Sequence, residues 1–256
     1  MSLDFDLYPY LTGSTQLVHL LPPESQEGGA EAILERLGDS VYRWHLTQIL
    51  RKPSRHFENI VELAGFDQIY ASTLHSEEYK EMTGKSIAEI AKICKEDPYD
   101  TLYDILIAEK CQATMLDTIA SEEDMLHFLK DPYANVISDA TYPTGGKYHP
   151  RVYAAFPKVL VDYVREKKKI FSIEEAVYKM TGKPAQVLNL AQGILEKGRP
   201  ADINIFRLEN LKAPADFDNP AQLCRGFDYV LVGGAVAVKN DCWKNTGSGK
   251  LLRRKK

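Results

Sequence analysis

The stretch that most constrains this chain is Ala134-Asn-Val-Ile-Ser-Asp-Ala-Thr141, a short apolar run that delivers one carboxylate, Asp139, at its end. Val136 and Ile137 are β-branched, Asp131-Pro132 breaks the helix before them, and Gly145-Gly146 sits in the loop that follows. Such a run, bounded by breakers, reads as a buried parallel strand ending in a functional loop. In α/β barrels the reactive side chains sit where strands end, at the C-terminal face. Asp139 is therefore the first candidate for chemistry; the same pattern also fits an aspartate that only caps the next turn.

The 256 residues are 44% hydrophobic and 27% charged, with a net charge of −4, which is the balance of a globular protein of one or two domains. No apolar run approaches the roughly 18 residues of a membrane span, and Met1 to Tyr10 lacks the basic start and apolar core of a signal peptide. A cytoplasmic protein without membrane contact is expected. Cys94, Cys111, Cys224 and Cys242 show no C-x-x-C spacing, so buried, reduced thiols are expected rather than a zinc ribbon or a redox pair. Two basic clusters, Arg165-Glu-Lys-Lys-Lys169 and Arg253-Arg-Lys-Lys256, are short and stand in an acidic chain. A nucleic-acid face interleaves basic and aromatic residues, so these clusters are read as solvated, with no nucleic-acid partner.

Along the chain, Leu3 to Leu7 alternate as a strand and then enter a polar loop, Tyr8-Pro-Tyr10 and Thr12-Gly-Ser-Thr15, as if the chain began in mid-fold. Ala30, Ile33, Leu34 and Leu37 predict a helix, and Ser40 predicts the cap of a second one reaching about Leu50. Asn59 to Leu63 is short enough to read as a strand. Ser86 and Asp97-Pro98 open two helices, Gln112 to Asp117 reads as a strand, and Ser121-Glu-Glu-Asp124 starts a helix to Lys130. Beyond Asp139 come His149-Pro-Arg151, a helix from Val152 to about Lys168, and a helix capped by Ser172 and ended by Gly182. From Gly193 onward, Ile203 to Phe206, Tyr229 to Val232 and Ala235 to Val238 read as short strands, with Gly233-Gly234 at hairpin spacing. Alternating strands and helices place the chain in the α/β class with a parallel sheet.

Several motifs, taken in order, resemble one family. They are Tyr8-Pro-Tyr10, Gly13-Ser-Thr15, Leu21-Pro-Pro23, Glu27-Gly-Gly29, Gly84-Lys-Ser86, Ser138-Asp139, His149-Pro-Arg151, Phe156-Pro157, Met180-Thr181 with Pro184-Ala185, and Gly198 with Ala201-Asp202. The chain resembles the C-terminal half of an N-acyl-D-amino-acid deacylase (D-aminoacylase) of the amidohydrolase superfamily, from about Asp4 to about Gly249. The resemblance implies part of a metal-dependent (β/α)8 barrel followed by part of a small β-sandwich. Residues 1–192 would then be barrel, with Leu3 to Leu7 as strand seven, Val136 to Ser138 as strand eight and a long insertion at about 28–130. Residues 193–256 would be the C-terminal share of the sandwich and a basic tail.

The resemblance also implies roles. Asp139 would bind the weaker metal position and move protons during amide hydrolysis, while Tyr8, Ser14, His149 and Arg151 would contact the substrate's carboxylate or acyl oxygen. For each of these the residues alone leave a structural alternative open: a packed aromatic at Tyr8, a turn at Ser14, a loop brace at His149 and Arg151. Ala140, Thr12 and Ala154-Ala155 depart from the family's usual Gly, Ala and Gly-Thr, which leaves substrate specificity open.

A dinuclear zinc site needs several ligands, and the family's others lie upstream of the Tyr-Pro-Tyr motif. The histidines present, His19, His45, His56, His75, His127 and His149, include no His-x-His and no i, i+4 pair. Zinc is therefore expected in the intact family enzyme and none is expected to stay bound to this chain alone. Two functions follow: the C-terminal segment of a zinc deacylase, acting on N-acyl-D-amino acids when the metal-binding N-terminal half is supplied by a separate polypeptide or by the intact gene product, or a stand-alone, non-catalytic module or truncated, inactive gene product. The first expects open sheet edges and self-association.

Overall fold

A computed structural model describes residues 3–142, 145–166, 168–244 and 246–252. In chain order the elements are β1 (Phe5–Leu7), β2 (Thr12–Gln16), α1 (Gly29–Leu37), α2 (Ser40–Leu50), α3 (Ile60–Ala64), β3 (Ile69–Thr73), α4 (Ile87–Cys94), α5 (Pro98–Ala108), β4 (Thr114–Thr118), α6 (Glu122–Lys130), β5 (Ala134–Val136), α7 (Arg151–Lys158), α8 (Ile173–Met180), α9 (Gly182–Val187), β6 (Ile203–Phe206), β7 (Phe227–Val232), β8 (Ala235–Lys239) and β9 (Cys242–Trp243). They fall into two units. The first unit holds Met1–Tyr10, Glu122–Thr141 and Pro150–Lys256; the second holds Leu11–Ser121 and Tyr142–His149.

The second unit is built on an antiparallel sheet of order β2-β4-β3. Ser14 stands opposite Leu116 and Thr12 opposite Thr118, with the two threonine hydroxyls 2.9 Å apart. Helices start where side chains satisfy their free N–H groups. Asp39 accepts from Val41 N, Ser86 and Glu89 form a capping box, and Asp97 accepts from Tyr99 N ahead of Pro98. The inward faces of these helices and strands meet in one core that includes Leu37, Leu50, Ile69, Ile87, Ile90, Leu102, Tyr103, Leu106 and Met115. Each of the fully buried leucines and isoleucines contributes about 2 kcal/mol of apolar transfer energy.

Several expectations from the sequence need correction here. Asn59 to Leu63 is not a strand: Asn59 caps α3, its Oδ1 accepting from Glu62 N and its Nδ2 donating to Leu50 O and Lys52 O. The polar run after Tyr10 is not a loop but β2, because β4 supplies its backbone partners. The pattern also passed over β3, which pairs with β4's other edge, so parallel pairing joins β1 to β5 while the larger sheet is antiparallel. Asp39, not Ser40, caps α2.

Glu109 lies at the C-terminal end of α5, where the helix dipole disfavours an acid. It is buried, and its carboxylate accepts from His75 N (2.8 Å), Ser76 N (2.9 Å) and Ser76 Oγ (2.6 Å). The acid thus closes the loop after β3. The segment Tyr142–His149 also joins this unit: Lys147 N donates to Ser72 O (2.6 Å) and Thr73 Oγ1 to Gly145 O (3.3 Å). Gly146 has φ +83, and a Cβ there would sit 2.2 Å from Ser72 O. Only glycine fits both conditions.

In the first unit β1 and β5 form a two-stranded parallel sheet, with Phe5 opposite Ala134 and Leu7 opposite Val136. Asn135, buried on β5, donates from Nδ2 to Asp6 Oδ1 (3.0 Å). Two lysines close the start of β5: Lys179 Nζ donates to Asp131 O (2.5 Å), and Lys183 Nζ donates to Tyr133 O (3.0 Å) and pairs with Asp4. The helix expected from Val152 to about Lys168 changes winding partway. Pro157 supplies no N–H to the ladder, and Val159–Arg165 continues α7 as a π-helix. Gly182 does not end a helical run but begins α9, directly after Thr181.

Arg165 of the first basic cluster is absorbed by the fold, donating to Leu208 O (2.7 Å) and Leu211 O (2.8 Å), and Lys168 pairs with Glu122 (3.3 Å). The cluster Arg253 to Lys256 and Lys167 lie outside the described residues. The last strands form an antiparallel sheet of order β6-β7-β8-β9, with a hairpin at Gly233-Gly234, both at positive φ. Among the described residues of these four strands none is buried, and Ile205, Val236 and Trp243 are exposed. The cysteines are free, but only Cys111 of the four is buried and Cys242 is exposed, which corrects the expectation of uniformly buried thiols. Among the described residues no helix is long and apolar enough to cross a membrane.

Burial holds several weak acids in their neutral form. Desolvation pushes Tyr103 and Tyr163 up to about 12 and the Cys224 thiol up to about 11, and raises Tyr10 as well. An unfolded tyrosine ionises near pH 10. Between about pH 10 and about 12 the unfolded chain therefore binds fewer protons than the folded one, and stability falls as pH rises through that window. The urea midpoint is expected to drop from pH 8 to pH 11, with no such loss between pH 7 and pH 8.

Candidate active site

Parallel pairing brings the ends of β1 and β5 to the same edge of the sheet, and Ile137 N extends the pairing by donating to Leu7 O (3.0 Å). Tyr8 leaves β1 and Asp139 leaves β5 at this C-terminal edge. Side chains at strand ends in α/β folds point into the crevice where ligands bind. Asp139 takes a left-handed backbone conformation, φ +48, with Ser138 Oγ accepting from Ala140 N (3.3 Å) in the same turn. Aspartate tolerates this region better than most residues.

The chain then passes through Tyr142–His149 and returns to the first unit at Pro150. Arg151 opens α7, and its Nη1 lies 2.9 Å from Asp139 Oδ2. The two partners differ in setting: the Arg151 side chain is 2% exposed and that of Asp139 50%. The guanidinium carbon also stands 4.7 Å from the centre of the Tyr8 ring. The structure thus gathers three of the five sequence-selected residues, Asp139, Arg151 and Tyr8, into one contact cluster made of an ion pair and a cation–π contact.

Ser14 and His149 belong to the second unit. Ser14 lies on β2 beside Gly13, whose Cβ, if present, would stand 2.7 Å from Asp117 Oδ1. His149 is buried, and its Nε2–H donates to Thr12 O (2.9 Å), which fixes the tautomer and ties the returning loop to β2. Two residues after Tyr8, the buried Tyr10 ring meets Lys158 Nζ at 5.3 Å and Phe217 edge to face. Residue-by-residue reading did not reach the Asp139–Arg151 pair. Its only trace in the sequence is an arginine at the first position of the helix that follows the aspartate's loop.

Zinc centres draw on three or four protein donors. Among the described residues no three His, Cys, Asp or Glu side chains form such a group, and Asp139 is engaged by a guanidinium. The described residues do not by themselves fit a zinc ion.

Residues 129–238, which carry β5, the site loop, α7 and the sheet up to β8, match the model of the amidohydrolase family. Within it the likeness is to D-aminoacylase: the chain is 29% identical over 177 residues to D-aminoacylase of Alcaligenes xylosoxydans xylosoxydans, spanning 69% of this chain and 35% of that one. A crystal structure of D-aminoacylase superposes on 98% of the chain with a TM-score of 0.71 and 25% identity, and the match covers 43% of that structure. N-acyl-D-glutamate deacylase of Bordetella bronchiseptica, complexed with zinc and a phosphonate inhibitor, matches 91% of the chain and 39% of its own at a TM-score of 0.66 and 25% identity. The chain is similar in sequence and in α/β fold to these deacylases and spans less than half the length of each.

Proposed function

We propose that this chain is the C-terminal segment of a zinc-dependent amidohydrolase that cleaves the amide bond of N-acyl-D-amino acids. One observation carries the reading: nearly the whole chain superposes on less than half of D-aminoacylase. It is one part of a partial (β/α)8 barrel, with β1 and β5 as two of the barrel strands, followed by part of a β-sandwich, the sheet β6 to β9. Both sheets support this, since a two-stranded parallel sheet has open edges and the later sheet buries no strand residue.

In this reading Asp139 is the proton-transfer group. A carboxylate at a strand end takes a proton from the attacking water and returns it to the leaving amine. Tyr8 and Arg151 offer a phenol and a guanidinium fork to the substrate's carboxylate or acyl oxygen. Ser14 and His149 are substrate-contacting candidates on the resemblance alone. The metal and its remaining ligands would come from the upstream half, as a separate polypeptide or within one longer chain.

After dialysis the purified chain is expected to retain less than ~0.1 zinc per molecule by mass spectrometry, because a single carboxylate does not hold the ion. Mixing or co-expression with the part of a D-aminoacylase that precedes the Tyr-Pro-Tyr motif is expected to bring both zinc and hydrolysis of an N-acetyl-D-amino acid. A chain that alone keeps one zinc, and loses it in Asp139→Ala, would overturn this division of labour. The second reading, a stand-alone non-catalytic module, is favoured by the continuous core of the second unit; it predicts no rescue on mixing.

A further inference from the structure

Within the second unit, α2 is apolar on both of its faces. On the inner face Leu46 and Leu50 are buried in the core, Thr47 Oγ1 lies 3.1 Å from the Tyr103 hydroxyl, and Arg43 reaches Asp104 at 2.6 Å. That face belongs to the core and to α5. On the outer face Val41 is 62% exposed, Trp44 60% and Ile49 43%, with His45 exposed among them. Val41, His45 and Ile49 follow one another at i, i+4 and i+8, which makes them one stripe along the helix. Trp44 flanks the stripe, its ring edge to face with His45 at 4.8 Å. A solvent-facing helix stripe is ordinarily polar, and aromatic residues concentrate where proteins meet.

The charges at the two ends of the stripe select what fits it. Before it stands Asp39, whose two cap bonds both use Oδ1, leaving Oδ2 for a further donor. After it stand Arg51, half-exposed while pairing with Asp97 at 3.5 Å, and the exposed Lys52. Asp39 and Arg51 lie equally far on either side of His45, and so do Val41 and Ile49. A helix with this spacing is complementary to itself when the second copy runs antiparallel. A two-fold axis through His45 sets each Val41 against the partner's Ile49 and each Asp39 beside the partner's Arg51, with the helix dipoles opposed.

We propose that the outer face of α2 is the contact through which two copies of this chain pair, antiparallel and two-fold symmetric, with Trp44 as the anchor. Tryptophan is prominent among residues that dominate binding energy. The pairing is independent of the deacylase reading. With its 11 residues α2 is about 16 Å long, so the contact buries on the order of 1,000 Å² in total. That is the small end of specific interfaces, and the dimer is a reversible one at roughly micromolar concentrations.

Cysteine cross-linking of the full chain tests the axis, in a Cys242→Ser background that removes the exposed native thiol. His45→Cys is expected to give a covalent dimer on mild oxidation. Val41→Cys alone and Ile49→Cys alone are expected to cross-link at least tenfold more slowly, and mixing those two chains should restore the fast rate. Trp44→Glu or the smaller change Val41→Lys, each added to the His45→Cys chain with its helical circular dichroism retained, should slow cross-linking at least tenfold. Equal rates at the three positions overturn the proposal. So does a dimer in sedimentation velocity that Trp44→Glu and Val41→Lys leave intact, which would move self-association to another face. Loss of the His45→Cys cross-link on adding the upstream part of a D-aminoacylase would give this face to that partner instead of a second copy.

Discussion

In enzyme reconstituted with its upstream part, Asp139→Asn is expected to lower deacylase turnover by about 10²- to 10⁴-fold, the range that a positioned general acid–base contributes. The substitution keeps size and hydrogen-bonding reach but removes the basic oxygen. The loss should fall on kcat, with KM little changed, because the substitution removes the proton-transfer group and keeps the shape of the side chain. Steady-state kinetics on an N-acetyl-D-amino acid reads the split. A variant that loses affinity while keeping kcat would place Asp139 in binding rather than in proton transfer.

The largest effect on stability is expected at Glu109. Replacing it with alanine removes the acceptor of His75 N, Ser76 N and Ser76 Oγ in one change. Unsatisfied groups of this kind cost about 1–3 kcal/mol each, and partial hydration of the exposed His75 reduces the sum, so a loss of about 3 kcal/mol is expected. Ser76→Ala, which removes only the hydroxyl, should cost about 1 kcal/mol. Hydrogen exchange of the β3 and β4 amides would show the difference, with Glu109→Ala losing far more protection than Ser76→Ala.

Glu109 also marks where reading the sequence stops. Local rules found the helix start at Ser86, the capping box at Ser172, the Asp97-Pro98 start, the Gly233-Gly234 hairpin and the strand before Asp139, because each depends on neighbours within a few residues. β2 looked like a loop because Thr12 to Gln16 is polar, and its strand character comes from β4, far away in sequence. Asn59 was misread for the same reason, since two of its bonds go to backbone carbonyls before Pro53. At the site, the ordered motifs picked out Tyr8, Asp139 and Arg151 one by one. That they touch follows from parallel pairing and the start of α7, which no spacing rule encodes.

The pairing of Thr12 with Thr118 has a kinetic consequence. β1 and β5 must find each other across residues 8–133, a long-range parallel contact of the kind that slows folding. Once β2 and β4 have zipped, the second unit's entry and exit lie side by side. Only the short arms Tyr8–Leu11 and Ile119–Tyr133 then remain to be closed. The open loop shortens about sixfold, which by the logarithmic law lowers its closure entropy by roughly 1.6 kcal/mol. The segment Thr12–Thr118 is thus expected to act as a folding scaffold for β1 and β5, with the order of assembly running from the inside of the sequence outward.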